Sequence, residues 1–137
     1  MKKLLEIIVL GLFLSGNAYG EAAIKRYFVK ELDVFGIKVL GLKNTPDKKM
    51  KNARNILEQW LDNDSDKKPD NILIVNQLVK NNCSIAMGKS IQKIDNILDN
   101  KLIKEGISEI QVSRMFALAA NEPEIAYLEE ILHMITS

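Results

Sequence analysis

Few of the residues that most often carry protein chemistry occur in this chain. Its 137 residues include one cysteine, one histidine and one tryptophan. A single cysteine excludes an intrachain disulfide and a zinc cluster of thiolates, and a single histidine excludes a histidine-rich catalytic site. Aromatic residues make up 6% of the chain and its net charge is +1, which argues against base stacking and against a basic nucleic-acid surface. We therefore expect no nucleic-acid partner.

The chain does contain enough apolar residues to fold. Hydrophobic residues make up 47% of it and charged residues 27%, a composition that is typical of a folded domain and not of a disordered chain. A second domain would be too small to bury a core of its own. Residues 21–137 are therefore predicted to form a single small domain of the α+β class, predominantly helical.

The first 20 residues are built like a secretory signal peptide. Lys2 and Lys3 precede an apolar run over residues 4–14, which is too short to span a bilayer. Small residues stand at the two positions that a signal peptidase reads, Ala18 and Gly20. We expect residues 1–20 to be removed, which leaves an exported protein, periplasmic or secreted, with no membrane segment in its mature form. Glu6 within the apolar run leaves open a buried N-terminal helix or an uncleaved anchor.

Apolar periodicity predicts short N-terminal strands followed by a small helical array. Alternating apolar residues over 27–42 predict the strands, and Thr45 and Pro46 are expected to begin a helix as its N-cap and first helical residue. Helices are predicted over 47–61, over 72–79, after Ser90, from Ser108 through Ala119, and after Pro123. An extended piece is expected around residues 83–87.

Two of these helices have an apolar stripe that is predicted to be buried. In the helix over 47–61 the stripe is Met50, Ala53, Leu57 and Trp60, and in the last helix it is Ile125, Leu128, Leu132 and Ile135. The opposite face of the first of these helices is basic, with Lys48, Lys49, Lys51 and Arg54. Such a face suits either solvent or an acidic protein or surface partner.

Cys83 has no second cysteine with which to pair. In the oxidising compartment to which export would deliver the chain, it is either a buried small hydrophobe or a free thiol available to a partner. We expect it to be buried.

The segment that carries chemistry is the acidic loop at residues 62–71. Asp62, Asp64, Asp66 and Asp70, with the backbone carbonyl of Lys68, match positions 1, 3, 5, 9 and 7 of the calcium loop of helix-loop-helix proteins. Closely spaced carboxylates repel one another, so the loop is costly unless a hard cation lies among them. The pattern predicts a calcium site between two helices.

Two departures from the pattern predict weak binding. Position 6, which is normally glycine because the backbone takes a positive φ there, is Lys67, and position 12, normally a bidentate glutamate, is Leu73. The lysines at 67 and 68 also subtract negative charge. An affinity of about 10⁻⁴–10⁻³ M is expected, as in extracellular calcium modules. The alternative is a solvated acidic turn with no ion.

The stretch around the loop resembles a family of uncharacterised exported proteins. The segments FGIKVLGLKNTPDKK and LDNDSDKKPDN, and LEEILHMIT near the end, are similar to that family's pattern of FG(I/V)xV, TPDxK and LDNDxDGxPDN. The resemblance covers about residues 34–71 and 128–136. The loop also resembles the calcium loops of thrombospondin type-3 repeats, which implies calcium here. The family implies an organisation and no activity.

A second group of chemical side chains lies on the last helix. Glu129, Glu130 and His133 have spacings at which helical residues face the same side, and such a group can supply ligands to zinc or iron. A lone histidine near a helix C-terminus more often interacts with the helix dipole. The resembling family continues beyond the point at which this chain stops, Ser137, so the group fits the remnant of a metal site in a truncated copy.

Three functions are compatible with these features. The first is an exported calcium-binding domain in which the ion stabilises the fold. The second is an exported metal-dependent hydrolase, or a fragment of one, that uses Glu129, Glu130 and His133. The third is an interaction domain without an ion. We favour the first and assign no reaction.

Overall fold

A four-stranded sheet separates two groups of helices in the computed structural model, which describes residues 20–137. The predicted signal peptide lies, apart from Gly20, outside the described residues. The strands are β1 (Lys30–Val34), β2 (Ile37–Gly41), β3 (Ser84–Gly88) and β4 (Met115–Ala119). The helices are α1 (20–27), α2 (Asp47–Leu61), α3 (Ile72–Lys80), α4 (Ile91–Asn96), α5 (Leu102–Lys104), α6 (Glu109–Ser113) and α7 (Glu124–Thr136), with a π-helical turn (Ile97–Lys101) between α4 and α5. Helices account for 54% and strands for 17% of these residues, which confirms a predominantly helical α+β fold.

The sheet is mixed, with strand order β1-β2-β3-β4. β1 and β2 form an antiparallel hairpin, and β3 and β4 extend the sheet as parallel strands. Phe35 and Gly36 connect the hairpin, both with positive φ (52° and 91°), as a type I′ turn requires. The alternation over 27–42 therefore corresponds to two short strands and a turn.

The two crossover connections lie on opposite faces of the sheet. α2 and α3 join β2 to β3 on the first face, and α4 to α6 join β3 to β4 on the second. Because the parallel strands advance in one direction across the sheet, the two crossovers have opposite hands. One of them therefore has the left-handed sense that is rare for such connections.

Each face of the sheet has its own core. On the first face, Val39, Ile85 and Leu118 pack with α2, α3 and α7; on the second, Leu40 and Ala86 pack with α1 and α4 to α6. Burial stabilises each large aliphatic side chain by about 1.5–3 kcal/mol relative to exposure. Strands that are buried on both faces read as continuous apolar runs and not as alternating ones.

The continuous apolar run of a strand that is buried on both faces explains one wrong prediction, the helix from Ser108 through Ala119. Residues 114–119 were expected to continue the helix that begins after Ser108, but α6 ends at Ser113 and Met115–Ala119 is strand β4. Ser108 does cap the helix, because its Oγ accepts the N–H of Gln111 at 3.1 Å. A short uncharged apolar run fits a helix and a doubly buried strand equally well, and only pairing with β3 decides between them.

Three predictions about helix ends and faces also need correction. Thr45 does not cap α2: its Oγ1 donates to the carbonyl of Met87 at 3.1 Å, and the N-cap is Pro46. Trp60 is 47% exposed, although the rest of its predicted stripe is buried. In α7 the buried residues are Tyr127, Ile131 and Met134, while two residues of the predicted stripe, Ile125 and Leu132, are exposed. Because the apolar residues of α7 form an arc wider than the face that is buried, periodicity does not select the buried stripe.

Cys83 lies immediately before β3 and is buried, as predicted. Burial raises the pKa of its thiol, and the charge of Arg114 opposes that rise only in part. The residue therefore remains a protonated, apolar part of the first core.

Candidate metal centre

The acidic loop connects α2 to α3 and is closed at both ends by hydrogen bonds. The N–H of Asp70 donates to the carbonyl of Leu61 at 2.8 Å, and the N–H of Asn63 donates to Oδ2 of Asp70 at 2.8 Å. Asn71 then begins α3, because its Oδ1 accepts the N–H groups of Leu73 and Ile74 at 3.0 and 3.4 Å. These contacts bring the start and the end of the loop together.

Asp62 is the central side chain of the loop. It is 2% exposed, although it is the first residue after α2. Its Oδ1 accepts the N–H of Asp66 at 3.2 Å and its Oδ2 accepts the N–H of Lys67 at 2.9 Å. The chain therefore turns around this carboxylate, and ionised aspartate is a strong acceptor for such backbone donors.

The fold brings three of the predicted ligands together. Asp62, Asp64 and Asp70 each offer a carboxylate oxygen, and these oxygens lie within 4.8 Å of one another. Two oxygens bound to one calcium ion can lie up to about 5 Å apart, since each bond is about 2.3–2.6 Å long. The spacing and the donor chemistry therefore fit a hard cation.

The other two predicted ligands, Asp66 and the backbone carbonyl of Lys68, are not part of this group. Asp66 is not in the group of three; its Oδ1 accepts the N–H of Lys68 at 2.9 Å. Asp66 still affects the group, because its charge raises the pKa of Asp64 and its hydrogen bonds to Asp62 lower the pKa of that residue. A bond from the backbone carbonyl of Lys68 to an ion stays a prediction.

The fold stabilises the ionised form of Asp62 and destabilises that of Asp64. Burial works to raise the pKa of Asp62, but hydrogen bonds from Asp64 and from the N–H groups of Lys67 and Asp66 outweigh it and leave that pKa lowered. The pKa of Asp64 is raised, chiefly by its hydrogen bond with Asp62, with contributions from burial and from the charges of Asp66 and Asp70. The neighbouring negative charges therefore make ionisation of Asp64 less favourable in the folded state.

The backbone at Lys67 has the positive φ that the calcium-loop pattern predicts, and Ser65 also has a positive φ, which the pattern does not predict. Lys67, at the position where glycine is usual, has a φ of 69°, and Ser65 has a φ of 57°. A side chain in this left-handed region costs about 1–2 kcal/mol. Nζ of Lys67 turns back towards Oε1 of Glu58, 3.5 Å away, in an exposed ion pair.

The second predicted group, on α7, does not form a comparable cluster. Within residues 20–137, the only three acidic, cysteine or histidine side chains that gather closely enough to hold an ion are Asp62, Asp64 and Asp70. Glu129 and His133 are exposed, and the rings of His133 and Phe116 form a T-shaped pair with centroids 5.4 Å apart. Burial raises the pKa of Glu130, and the charge of His133 opposes that rise. A hydrolytic role for the three stays a prediction.

Sequence reasoning missed one group of charged side chains. Lys43, Lys89 and Lys93 line a single cavity beside α1. The available signal was that β2 and β3 both end in glycine with a lysine one or two residues later, in GLK and GK. That signal becomes meaningful only once the two strands are known to be parallel neighbours.

Comparisons with known proteins add no relative. The chain matches no protein-family model, no curated protein and no solved structure. The resemblance to the exported family therefore stays a prediction. None of the helices within the described part of the chain has the length and apolar character needed to cross a membrane.

Proposed function

We propose that this chain is a small calcium-binding domain in which the ion stabilises the connection between α2 and α3. The observation that carries the proposal is the convergence of Asp62, Asp64 and Asp70 within 4.8 Å in a loop that is closed at both ends. α2 and α3 both pack on the first core. An ion that bridges the ends of the loop therefore stabilises the packing of both helices.

The donor set favours calcium among hard cations. All of the gathered side-chain donors are carboxylate oxygens, and calcium takes six to eight oxygen ligands in flexible geometry. Backbone carbonyls and water would complete its coordination. Magnesium requires near-ideal octahedral geometry at shorter distances and gives up its water reluctantly. Lys67 and the missing glutamate at position 12 favour weak binding, in the range of about 10⁻⁴–10⁻³ M, which suffices in an exported protein where calcium is abundant.

Calcium is expected to raise the melting temperature. A ligand at ten times its dissociation constant stabilises the folded state by about 1.4 kcal/mol, which corresponds to about 4–8 °C for a domain of this size. Differential scanning calorimetry with EDTA, with 10 mM calcium chloride, and with sodium chloride at matched ionic strength measures the effect. No rise in calcium, or an equal rise in sodium chloride, would contradict the proposal and favour an interaction domain without an ion.

Asp64→Asn is expected to have opposite effects with and without calcium. Because the folded state raises the pKa of Asp64, its ionisation destabilises the fold at any pH above that raised pKa, and the cost disappears as the pH falls and the folded state takes up a proton. At pH 7 in EDTA, the substitution should therefore raise the melting temperature by about 1–3 °C. In calcium, it should remove most of the calcium-dependent rise, since one ligand loses its charge.

The matched control is Asp95→Asn on α4, where the aspartate is exposed. It makes the same change in charge outside the loop, and we expect no shift in either buffer. If Asp64→Asn lowered the melting temperature in EDTA at pH 7, the crowding of negative charge in the loop would be excluded as a source of instability. If the variant kept the full response to calcium, Asp64 would be excluded as a ligand.

A further inference from the structure

A cavity of about 240 Å³ opens beside the carboxyl ends of β2 and β3, the two central strands of the sheet. Both strands point towards it, because they are parallel. Four of the side chains that line it are cationic: Arg26, Lys43, Lys89 and Lys93. The carboxyl ends of parallel strands are the usual place for ligands in sheets of this kind.

The four cations reach the cavity from four separate segments. Arg26 comes from α1, Lys43 from the loop after β2, Lys89 from the loop after β3, and Lys93 from the first turn of α4. The whole chain has a net charge of only +1, so a generally basic composition does not explain the convergence. The fold places these charges together.

In the described part of the chain, negative charge balances only one of the four cations through an ion pair, Arg26. Glu105 pairs with Arg26 and accepts the hydroxyl of Tyr27 at 2.9 Å. No carboxylate elsewhere in residues 20–137 forms an ion pair with Lys43, Lys89 or Lys93. Like charges that converge on a cavity repel one another, and an anion in the cavity removes that cost.

Hydrogen bonds fix the loop that carries Lys43. The carbonyl of Met87, near the end of β3, accepts both the N–H of Leu42 at 3.0 Å and the hydroxyl of Thr45 at 3.1 Å. Nζ of Lys30 donates a hydrogen bond to the carbonyl of Thr45 at 2.7 Å. Lys43 lies between these tethered residues, so its backbone position is set by β3.

Gly88, the last residue of β3, allows side chains to pack closely beside the cavity. A Cβ at this position would stand 2.9 Å from both Leu42 Cδ1 and Ile94 Cγ1, closer than real Cβ contacts allow. The absence of a side chain lets these two residues close over the end of β3. Leu42 then lines the cavity together with Ile97, so part of the lining is apolar.

We propose that this cavity binds a small phosphate-bearing anion, either inorganic phosphate or the phosphate group of a small monoester. Converging lysines and an arginine are the side chains that recognise phosphate. The volume lies below the roughly 300–1,000 Å³ of pockets for drug-sized ligands, so the ligand is small. The apolar part of the lining, Leu42 and Ile97, suits the carbon skeleton of a monoester. This site shares no residue with the acidic loop and does not depend on calcium.

Isothermal titration calorimetry of the whole chain tests the proposal, with inorganic phosphate and with glycerol phosphate as probes, in a buffer that contains EDTA. We expect saturable binding at one site in the millimolar range or tighter. The double variant K43Q/K93Q should weaken binding about tenfold or more. Each lysine is expected to donate a charge-assisted hydrogen bond to the phosphate, and the variant loses both of these bonds. Tighter binding of glycerol phosphate than of phosphate would identify a monoester as the better ligand.

K48Q/K51Q is the matched control, since it removes the same charge from the exposed basic face of α2. It should leave phosphate binding unchanged. All four lysines are exposed, so both variants should melt at nearly the wild-type temperature, which a thermal scan verifies. Absence of saturable binding, an equal loss in both double variants, or binding only to vesicles of anionic lipid would overturn the proposal.

Discussion

Replacing Asp62 by alanine is expected to lower the melting temperature by about 5–10 °C in EDTA and to abolish any rise in calcium. The side chain is buried and accepts the N–H groups of Asp66 and Lys67. Alanine would leave both donors without that acceptor, and a hydrogen bond to a charged acceptor contributes more than a neutral one. Because the pKa of Asp62 is lowered in the folded state, its stabilising effect is present at neutral pH and is lost as the pH falls through that lowered pKa.

The control for Asp62→Ala is Asp66→Ala. Asp66 is exposed, and its carboxylate accepts one backbone N–H, that of Lys68. The same substitution there should lower the melting temperature in EDTA by less than half as much. Thermal scans of both variants from pH 3 to pH 7 make the comparison. If Asp62→Ala melted no lower than Asp66→Ala at pH 7, Asp62 would not be the residue around which the loop is organised.

The loop was predictable from the sequence because its geometry is local. The spacing of Asp62, Asp64 and Asp70 within nine residues, with a helix on either side, is sufficient to bring their carboxylates together. The positive φ of Lys67 was predictable for the same reason, since a calcium-loop pattern turns at its sixth position. The departure of Asp66 from the group was not predictable, because it depends on which backbone N–H its side chain accepts.

The parts that could not be predicted depend on contacts between distant segments. Met115–Ala119 becomes a strand because Ser84–Gly88 is beside it, and nothing within the five apolar residues favours a strand over a helix. Thr45 serves as a donor to Met87 and not as a helix cap because β2 and β3 are neighbours. The cationic cavity has the same origin, since Lys43 and Lys89 belong to the loops after β2 and β3, which only this pairing brings together.

The buried faces of helices were predicted well where one face is polar. α2 is basic on one side, and Met50, Ala53 and Leu57 are buried on the other, as expected. The apolar arc of α7 is wide enough to contain two different stripes, and the buried one was predicted on the wrong side of that arc. Tertiary packing against β4 and α2 selects Tyr127, Ile131 and Met134 instead. Tyr127 further fixes the rotation of α7, because its hydroxyl donates to the carbonyl of Ala120 at 3.0 Å.

Replacing Lys67 by glycine is expected to make the domain more stable and its calcium binding tighter. Glycine adopts a positive φ without the cost of about 1–2 kcal/mol that a side chain incurs. Its greater freedom in the unfolded chain offsets about 0.5–1 kcal/mol of that gain. The free energy of unfolding in EDTA should therefore rise by about 0.5–1 kcal/mol, measured by urea denaturation. Removal of a positive charge beside the carboxylates should tighten calcium binding by about threefold.

Lys68→Gly makes the same chemical change one residue later, where φ is not positive. It should tighten calcium binding by a similar factor but lower the free energy of unfolding, because glycine there costs entropy without relieving strain. A gain in stability for both variants, or for neither, would show that the backbone conformation of Lys67 does not strain the loop.

Lys67→Ala separates the two effects of the glycine substitution. The positive φ of Lys67 accompanies the hydrogen bond from its N–H to Oδ2 of Asp62. We therefore expect the strain to belong to the folded loop in EDTA and in calcium alike, so that its relief changes stability without changing affinity. Alanine removes the charge and keeps the strain, so it should bind calcium as tightly as the glycine variant does and be less stable than that variant. If only glycine tightened binding, the loop would have to change conformation when the ion binds, and the strain at position 67 would be part of the binding energy.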